Sequence, residues 1–117
     1  MALHLTPDML EKAYELLRTT APFRGWRLPG GDAIEFKVAA FGTHLAHYQW
    51  TGTGHSISVS AKASAHLDTL MRLMAHEMIH LYQRIKKVEN KNQHNADFRR
   101  RAKAVCRVHG FDPALFC

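Results

Sequence analysis

The chain has 117 residues, of which 46% are hydrophobic, a length and composition typical of one folded domain rather than a disordered segment. No apolar run approaches the roughly 20 residues of a membrane span, and the N-terminus lacks the basic and apolar regions of a secretory signal. We therefore expect one domain over residues 1–117, a cytoplasmic location and no membrane partner. The oligomeric state stays open.

The net charge of +6 is concentrated after residue 80. Residues 1–80 contain seven basic and seven acidic side chains, whereas residues 81–117 contain nine basic and three acidic ones. A basic patch of this kind can bind the phosphate backbone of nucleic acids without reading their sequence. It is equally typical of an ordinary solvated helix face, so nucleic-acid binding is one of two interpretations.

The first predicted element is a helix that starts at Thr6-Pro7-Asp8 and ends near residues 19–22. Thr6 can cap the helix, Pro7 fits its first position, and Asp8 favours the positive end of the helix dipole. Apolar residues recur at helical spacing through this stretch. Prolines and glycines then predict a loop over residues 22–32.

Three short strands are predicted after this loop. Apolar and polar residues alternate in these segments, and a Thr-Gly-Thr-Gly turn separates the second strand from the third. Because strands that follow one another in sequence usually pair with each other, we expect a small antiparallel three-stranded β-meander. The predicted strands cover residues 33–41, 44–50 and 55–61.

Two helices complete the predicted fold, whose class is α+β. A long helix covers about residues 64–88, a polar loop covers 89–95, and Asn95 is a suitable N-cap for a last helix over about 96–108. The last helix has basic residues opposite its apolar side, and these form a candidate nucleic-acid surface. The basic residues are Arg99, Arg100, Lys103 and Arg107.

The long helix contains an H-E-x-x-H sequence from His76 to His80. Histidines four residues apart lie on one side of a helix, so both imidazoles can reach the same metal ion. Glu77 lies beside that side and can take a proton from a water molecule that the metal activates. The apolar arc of the helix is centred almost opposite the two histidines, so we expect them to face a cleft.

A catalytic zinc ion normally has three protein ligands and one open position, so a third ligand is needed. The metzincin pattern requires glycine and histidine where this chain has Gln83 and Lys86, which excludes that class. His94 is the best candidate, since the chain can fold back before the last helix and bring its imidazole to the other two. The weaker alternatives are the acidic residues Glu89, Asp97 and Asp112.

The H-E-x-x-H helix, the loop and the segment from His94 to Phe98 together resemble the SprT-like zinc metallopeptidases. Spartan members of that family cleave proteins crosslinked to DNA. The family's third ligand belongs to an H-G-x-x-F motif, in which this chain has Asn95 instead of glycine. The predicted order of elements also resembles the family's minimal, zincin-like domain. The chain lacks the cysteine zinc ribbon of longer members, because it has no C-x-x-C pair.

The resemblance implies a zinc-dependent endopeptidase that acts on proteins or peptides, including proteins bound to DNA. It implies that one zinc ion is held by His76, His80 and His94, with Glu77 as the general base. Two alternatives are a nucleic-acid-binding protein with a structural zinc site and an inactive relative that serves as a scaffold. The strand over 55–60 could pair with a peptide substrate if it lies at the sheet edge. Candidate donors to the oxyanion are Tyr48, Tyr82, His44, His47 and His55.

Overall fold

The structure is a computed structural model that describes residues 4–39, 45–62 and 66–116. It has the α+β class and the order of elements that the sequence predicts, with two additional 3₁₀ helices, Phe23–Trp26 and Gly31–Ala33, and one additional short α-helix at the end. None of the helices in these three ranges is both long and apolar enough to cross a membrane. The cytoplasmic location remains a prediction. The elements are α1 (Pro7–Arg18), β1 (Ile34–Ala39), β2 (Ala46–Trp50), β3 (His55–Ser60), α2 (Leu67–Lys86), α3 (Ala96–His109) and α4 (Pro113–Phe116).

Helix α1 begins and ends where the sequence predicts. The Thr6 hydroxyl accepts a hydrogen bond from the Met9 backbone N–H at 3.2 Å, which satisfies one of the donors left over at a helix start. The buried side of α1 faces β1 and α2. On this side the Tyr14 hydroxyl donates to the Pro29 carbonyl at 2.6 Å, which ties the loop over residues 22–32 to the helix.

The sheet is mixed, and the predicted antiparallel meander is wrong in this respect. The strand order is β1-β3-β2, with β3 in the centre, parallel to β1 and antiparallel to β2. The central position suits β3 because both of its faces are buried: Ser56 and Ser60 are 3% and 2% exposed, and Ile57 on the other face is fully buried. Alternation of residue types reports the two faces of a strand, but not which strands are neighbours.

The hairpin between β2 and β3 forms as predicted, with the Thr51 backbone N–H donating to the Gly54 carbonyl at 2.8 Å. The predicted ends of the first and second strands at residues 40, 41 and 44 lie outside the described residues. Strand β2 is left as an edge of the sheet, next to α2.

Helix α2 is the centre of the fold, in contact with α1, α3, α4 and both β2 and β3. Its buried apolar side includes Met74 and Met78, as predicted. The buried apolar faces of α2 and α3 are shorter than the sequence suggests, because Leu67 in α2 and Val108 in α3 are 62% and 50% exposed. Both residues lie at the ends of their helices, where the packed layers stop. This packing fixes α2 rigidly and places its H-E-x-x-H sequence between the sheet and α3.

Candidate metal centre

The structure brings His76, His80 and His94 together, with one ligand atom of each lying within 4.8 Å of the others. The first two come from α2, and the third comes from the loop just before α3. The Nε2 atoms of His76 and His80 are 3.3 Å apart. Two nitrogens bound to one tetrahedral zinc ion at 2.0–2.1 Å lie about 3.3 Å from each other, so this pair fits a shared zinc ion.

A buried phenylalanine packs against all three imidazoles. The Phe98 ring lies 4.9, 4.7 and 4.6 Å from the rings of His76, His80 and His94, measured between centroids. Phe98 is placed by the first turn of α3, where the Asn95 side chain accepts a hydrogen bond from its backbone N–H at 2.9 Å. The aromatic residue four positions after the third histidine therefore forms an apolar backing for the cluster.

The tautomer of His76 is set by the short helix α4. The Nδ1 atom of His76 lies 2.6 Å from the Phe116 carbonyl oxygen, which can only accept a hydrogen bond, so Nδ1 carries the proton. Its Nε2 atom then has a free lone pair for a metal, as is usual for histidine ligands. The sequence prediction missed α4, although Asp112-Pro113 is a helix-start pattern and the Asp112 side chain accepts from the Ala114 backbone N–H at 2.9 Å.

A buried polar contact links α2 to the start of α3, and the sequence prediction did not foresee it. The Gln83 side chain is only 1% exposed, although the residue also belongs to the lining of the cleft beside the histidines. Its Nε2 atom donates to Asn95 Oδ1 at 3.0 Å and to Asp97 Oδ2 at 3.1 Å. Asn95 has φ −70° and ψ −177°, an ordinary extended conformation. The glycine of the family motif is therefore not required by the backbone here.

Glu77 is 6% exposed and lies under β2. Burial raises the pKa of Glu77 to about 7, an effect that the Tyr48 backbone N–H partly opposes. Burial lowers the pKa of His76 to about 4, against the effect of the Phe116 carbonyl. Burial, aided by the charges of neighbouring histidines, lowers the pKa of His80 to about 3. Both imidazoles are neutral at pH 7, the form that binds metals, and Glu77 exchanges its proton near neutral pH.

The histidines and Glu77 line an open cleft of about 600 Å³. Strand β2 forms one wall over its whole length, and α2 with the loop after it forms the other. The strand over 55–60 could pair with a peptide only if it lay at the sheet edge, and this condition is not met, because β3 is central and β2 is the edge beside the cleft.

Some of the candidate oxyanion donors line the cleft, and others do not. Tyr82 packs on Trp26 and Arg101, away from the cleft lining, so it is a poor candidate. Tyr48 lines the cleft and its hydroxyl lies 2.7 Å from His55 Nδ1, and His47 also lines the cleft. His44 lies outside the described residues.

The acidic alternatives to His94 have other partners. Glu89 forms an ion pair with Arg84 at 3.2 Å, and Asp97 forms ion pairs with two arginines of α3 at 2.6 and 3.1 Å. Asp112 caps α4. None of the three belongs to the histidine cluster.

The four predicted basic residues of α3 are all exposed, and we refer to them as the basic face. Two of them also serve the local structure: Arg99 donates to the His94 carbonyl at 2.7 Å, and Arg100 pairs with Asp97. The basic face consists of Arg99, Arg100, Lys103 and Arg107.

A helix whose two H-E-x-x-H histidines meet a third histidine is the arrangement of zincin-type metal sites. The SprT-like family matches this chain over residues 16–115, a range that includes the sheet, the three histidines and Glu77. The chain therefore belongs to the SprT-like family. No curated protein sequence shows significant similarity to it.

The shifted pKa values predict how the zinc-free chain responds to acid. Of these three groups, between about pH 4.5 and 6.5 the unfolded chain protonates His76 and His80 but not Glu77, whereas the folded chain protonates only Glu77. The three groups together give the unfolded state one more proton, which lowers the free energy of unfolding by about 1.4 kcal/mol per pH unit as the pH decreases, and the lowered pKa of His55 acts in the same direction. Glu77→Gln removes the proton that the folded chain holds at this position, so we expect its slope to be steeper than that of the wild type by about 1.4 kcal/mol per pH unit.

Urea denaturation in the presence of a chelator at pH 5.0, 5.5 and 6.0 measures both slopes. Equal slopes for the two proteins would contradict the assignment of a raised pKa to Glu77.

Proposed function

We propose that the chain is a zinc-dependent endopeptidase in which His76, His80 and His94 hold one Zn²⁺ ion and Glu77 is the general base. The observation that carries the proposal is the meeting of three imidazoles with a buried carboxylate on the wall of an open cleft. Three histidines are the ligand set of several catalytic zinc sites, in which the fourth position is left for water or substrate. SprT-like proteins are generally zinc metallopeptidases, which supports the same function.

Glu77 performs the proton transfers of the proposed reaction. When bound, zinc supplies a Lewis acid that makes water acidic and polarises the peptide carbonyl. Glu77 takes the proton of the attacking water and delivers it to the nitrogen of the leaving amine. In the zinc-free chain, burial raises the pKa of Glu77 to about 7, and the charge of a bound Zn²⁺ ion would lower it, which favours the carboxylate that accepts the proton of water. The Tyr48 backbone N–H faces the carboxylate and helps to orient it.

The edge strand β2 is the proposed substrate-binding element. Backbone groups of an edge strand point alternately to the sheet and away from it. The Leu45 carbonyl accepts from the Ser60 backbone N–H at 2.7 Å on the sheet side, whereas the Tyr48 N–H turns to Glu77. Tyr48 and the residues two positions from it therefore offer backbone groups to the cleft. An extended peptide can add to this edge, which favours unfolded segments of proteins as substrates.

Hydrolysis of an unstructured protein, such as casein, tests the proposal. We expect the purified chain to contain about one zinc ion and to cleave the substrate. Chelation should reduce cleavage to the background rate, and stoichiometric zinc should restore it, because the proposed chemistry requires the ion. The proposal fails if cleavage continues after complete removal of zinc, or if the zinc-loaded chain cleaves no unstructured protein.

The basic face of α3 supports a second proposal, binding to the backbone of DNA. Its exposed side chains belong to residues 81–117, which hold all the excess positive charge. Log K falls as log salt rises, and each phosphate contact makes this negative slope steeper by about 0.9. We expect a variant with Arg100, Lys103 and Arg107 changed to glutamine to bind DNA more weakly, with a slope that is shallower by about 2 to 3.

Fluorescence anisotropy with labelled duplex DNA at several salt concentrations measures this slope. The matched control carries Lys12→Gln and Lys37→Gln, two exposed lysines outside α3. Equal slopes for the wild type and the α3 variant would exclude the basic face as the DNA contact.

A further inference from the structure

We infer that Gln83 is a positioning residue for the third zinc ligand: it holds the start of α3 against α2 so that His94 meets His76 and His80. The inference rests on the proposed zinc site and names a residue on which that site depends. Gln83 itself is not a member of the histidine cluster.

Gln83 lies on the same helix as two of the ligands, one turn after His80. Its side chain is almost completely buried, and its amide group donates to two acceptors at the start of α3. An amide NH₂ group has two hydrogens, so both are used. The acceptors are Asn95 and Asp97, the first and third residues after His94 in the chain.

Asn95 converts this contact into a fixed position for the third ligand. Its Oδ1 atom accepts from both Gln83 and the Phe98 backbone N–H, and its Nδ2 atom donates to the Val88 carbonyl at 3.3 Å. One side chain thus joins the buried side of α2, the segment just after α2 and the first turn of α3. His94 is the residue directly before it, so its Cα atom is fixed by the same bonds.

The other hydrogen bonds of the His94 backbone stay within the loop and α3. Its N–H donates to Asn92 at 3.1 Å, and its carbonyl accepts from Arg99 at 2.7 Å, and both bonds are exposed to solvent. They hold the local shape but move together with α3. The contacts of Gln83 join α3 to the helix that carries the other ligands, and the one with Asn95 is buried, where hydrogen bonds are stronger. Metal sites need such support, since each ligand atom must be held within about 0.5 Å of the position that binds the metal.

The test is the zinc affinity of the full-length Gln83→Met variant, measured by competition with a chromophoric chelator. Methionine has a similar length and cannot donate the two hydrogen bonds. We expect zinc affinity to fall by roughly 10- to 100-fold, the usual effect of removing a residue that orients a ligand. Co²⁺ provides a spectroscopic readout, because its d–d bands should lose intensity when one imidazole is displaced.

Asn95→Gly is the second variant, since it removes the acceptor on α3 and leaves α2 intact. Glycine is a tolerated N-cap, so α3 is retained, and we expect the same direction of change in zinc affinity. Leu17→Ala is the control for general loss of stability, because Leu17 is buried in α1. Its zinc affinity should equal that of the wild type.

A double-mutant cycle with His94→Ala separates positioning from any other role. If Gln83 acts through His94, then Gln83→Met has no further effect on zinc affinity in a His94→Ala protein. The inference is overturned if Gln83→Met weakens zinc binding equally in both backgrounds. The inference is also overturned if a Gln83→Met or Asn95→Gly protein that is folded retains the zinc affinity of the wild type. If His94→Ala alone leaves zinc affinity unchanged, the proposed zinc site fails, and the positioning role fails with it.

Discussion

Glu77→Gln is expected to reduce peptide hydrolysis by roughly 10²- to 10⁴-fold, the usual contribution of a general base, while the protein keeps its zinc. The amide has the same shape as the carboxylate, so packing under β2 is preserved, but it cannot take a proton from water. Zinc is retained because the proposed ligands are the three histidines. The loss should appear in kcat, since proton transfer belongs to the chemical step.

Glu35→Gln is the matched control, because Glu35 is exposed on β1, at the edge of the sheet opposite β2. Zinc content and thermal unfolding of the variants are measured beside cleavage. Wild-type cleavage by Glu77→Gln would contradict the mechanism. Loss of zinc together with activity would instead mean that the carboxylate supports the metal site.

Much of the fold follows from local signals that act over a few residues. The start of α1 at Thr6 and the capping of α3 by Asn95 depend on side chains that satisfy neighbouring backbone groups, and these patterns are readable in sequence. The turn between β2 and β3 and the buried side of α2 follow from turn residues and from periodicity. These predictions are confirmed.

The sheet order depends on contacts between distant parts of the chain. The alternating residues of β3 do not show that both faces are covered, so its central place next to β1 could not be predicted from them. For the same reason, the strand proposed to bind the substrate is β2 and not β3. Sequence neighbours pair often but not always, and here the parallel pairing of β1 with β3 displaces the expected one.

The candidate site was predicted in its members but not in its supports. His76 and His80 share a helix side by geometry, and His94 was indicated by its place before a helix and by the family motif. The carbonyl of Phe116 behind His76 and the amide of Gln83 beside Asn95 are contacts across the fold. The burial of Glu77, which raises its pKa, also depends on β2 covering it, and a helical wheel contains no such information.

His94→Ala is expected to weaken zinc binding by roughly 10²- to 10³-fold. Structural zinc sites with four protein ligands have binding free energies of about 10–16 kcal/mol, and one quarter of this is the share of a single ligand. The two histidines of α2 should still bind zinc weakly. Since the three histidines meet only when the chain is folded, the variant should also lose most of the rise in melting temperature that added zinc gives the wild type. Chelator competition and thermal unfolding at fixed zinc concentrations measure the two effects.

His109→Ala is the control for the loss of a histidine from α3. His109 lies at the other end of that helix, 3.2 Å from the Thr20 hydroxyl, so its removal can lower stability without changing zinc affinity. If the two variants bind zinc equally well, His94 is not a ligand, and the third position belongs to another group. If His94→Ala alone loses affinity, the fold-back of the chain before α3 is what completes the metal site. The H-E-x-x-H helix by itself would then be an incomplete site, which the loop before α3 completes.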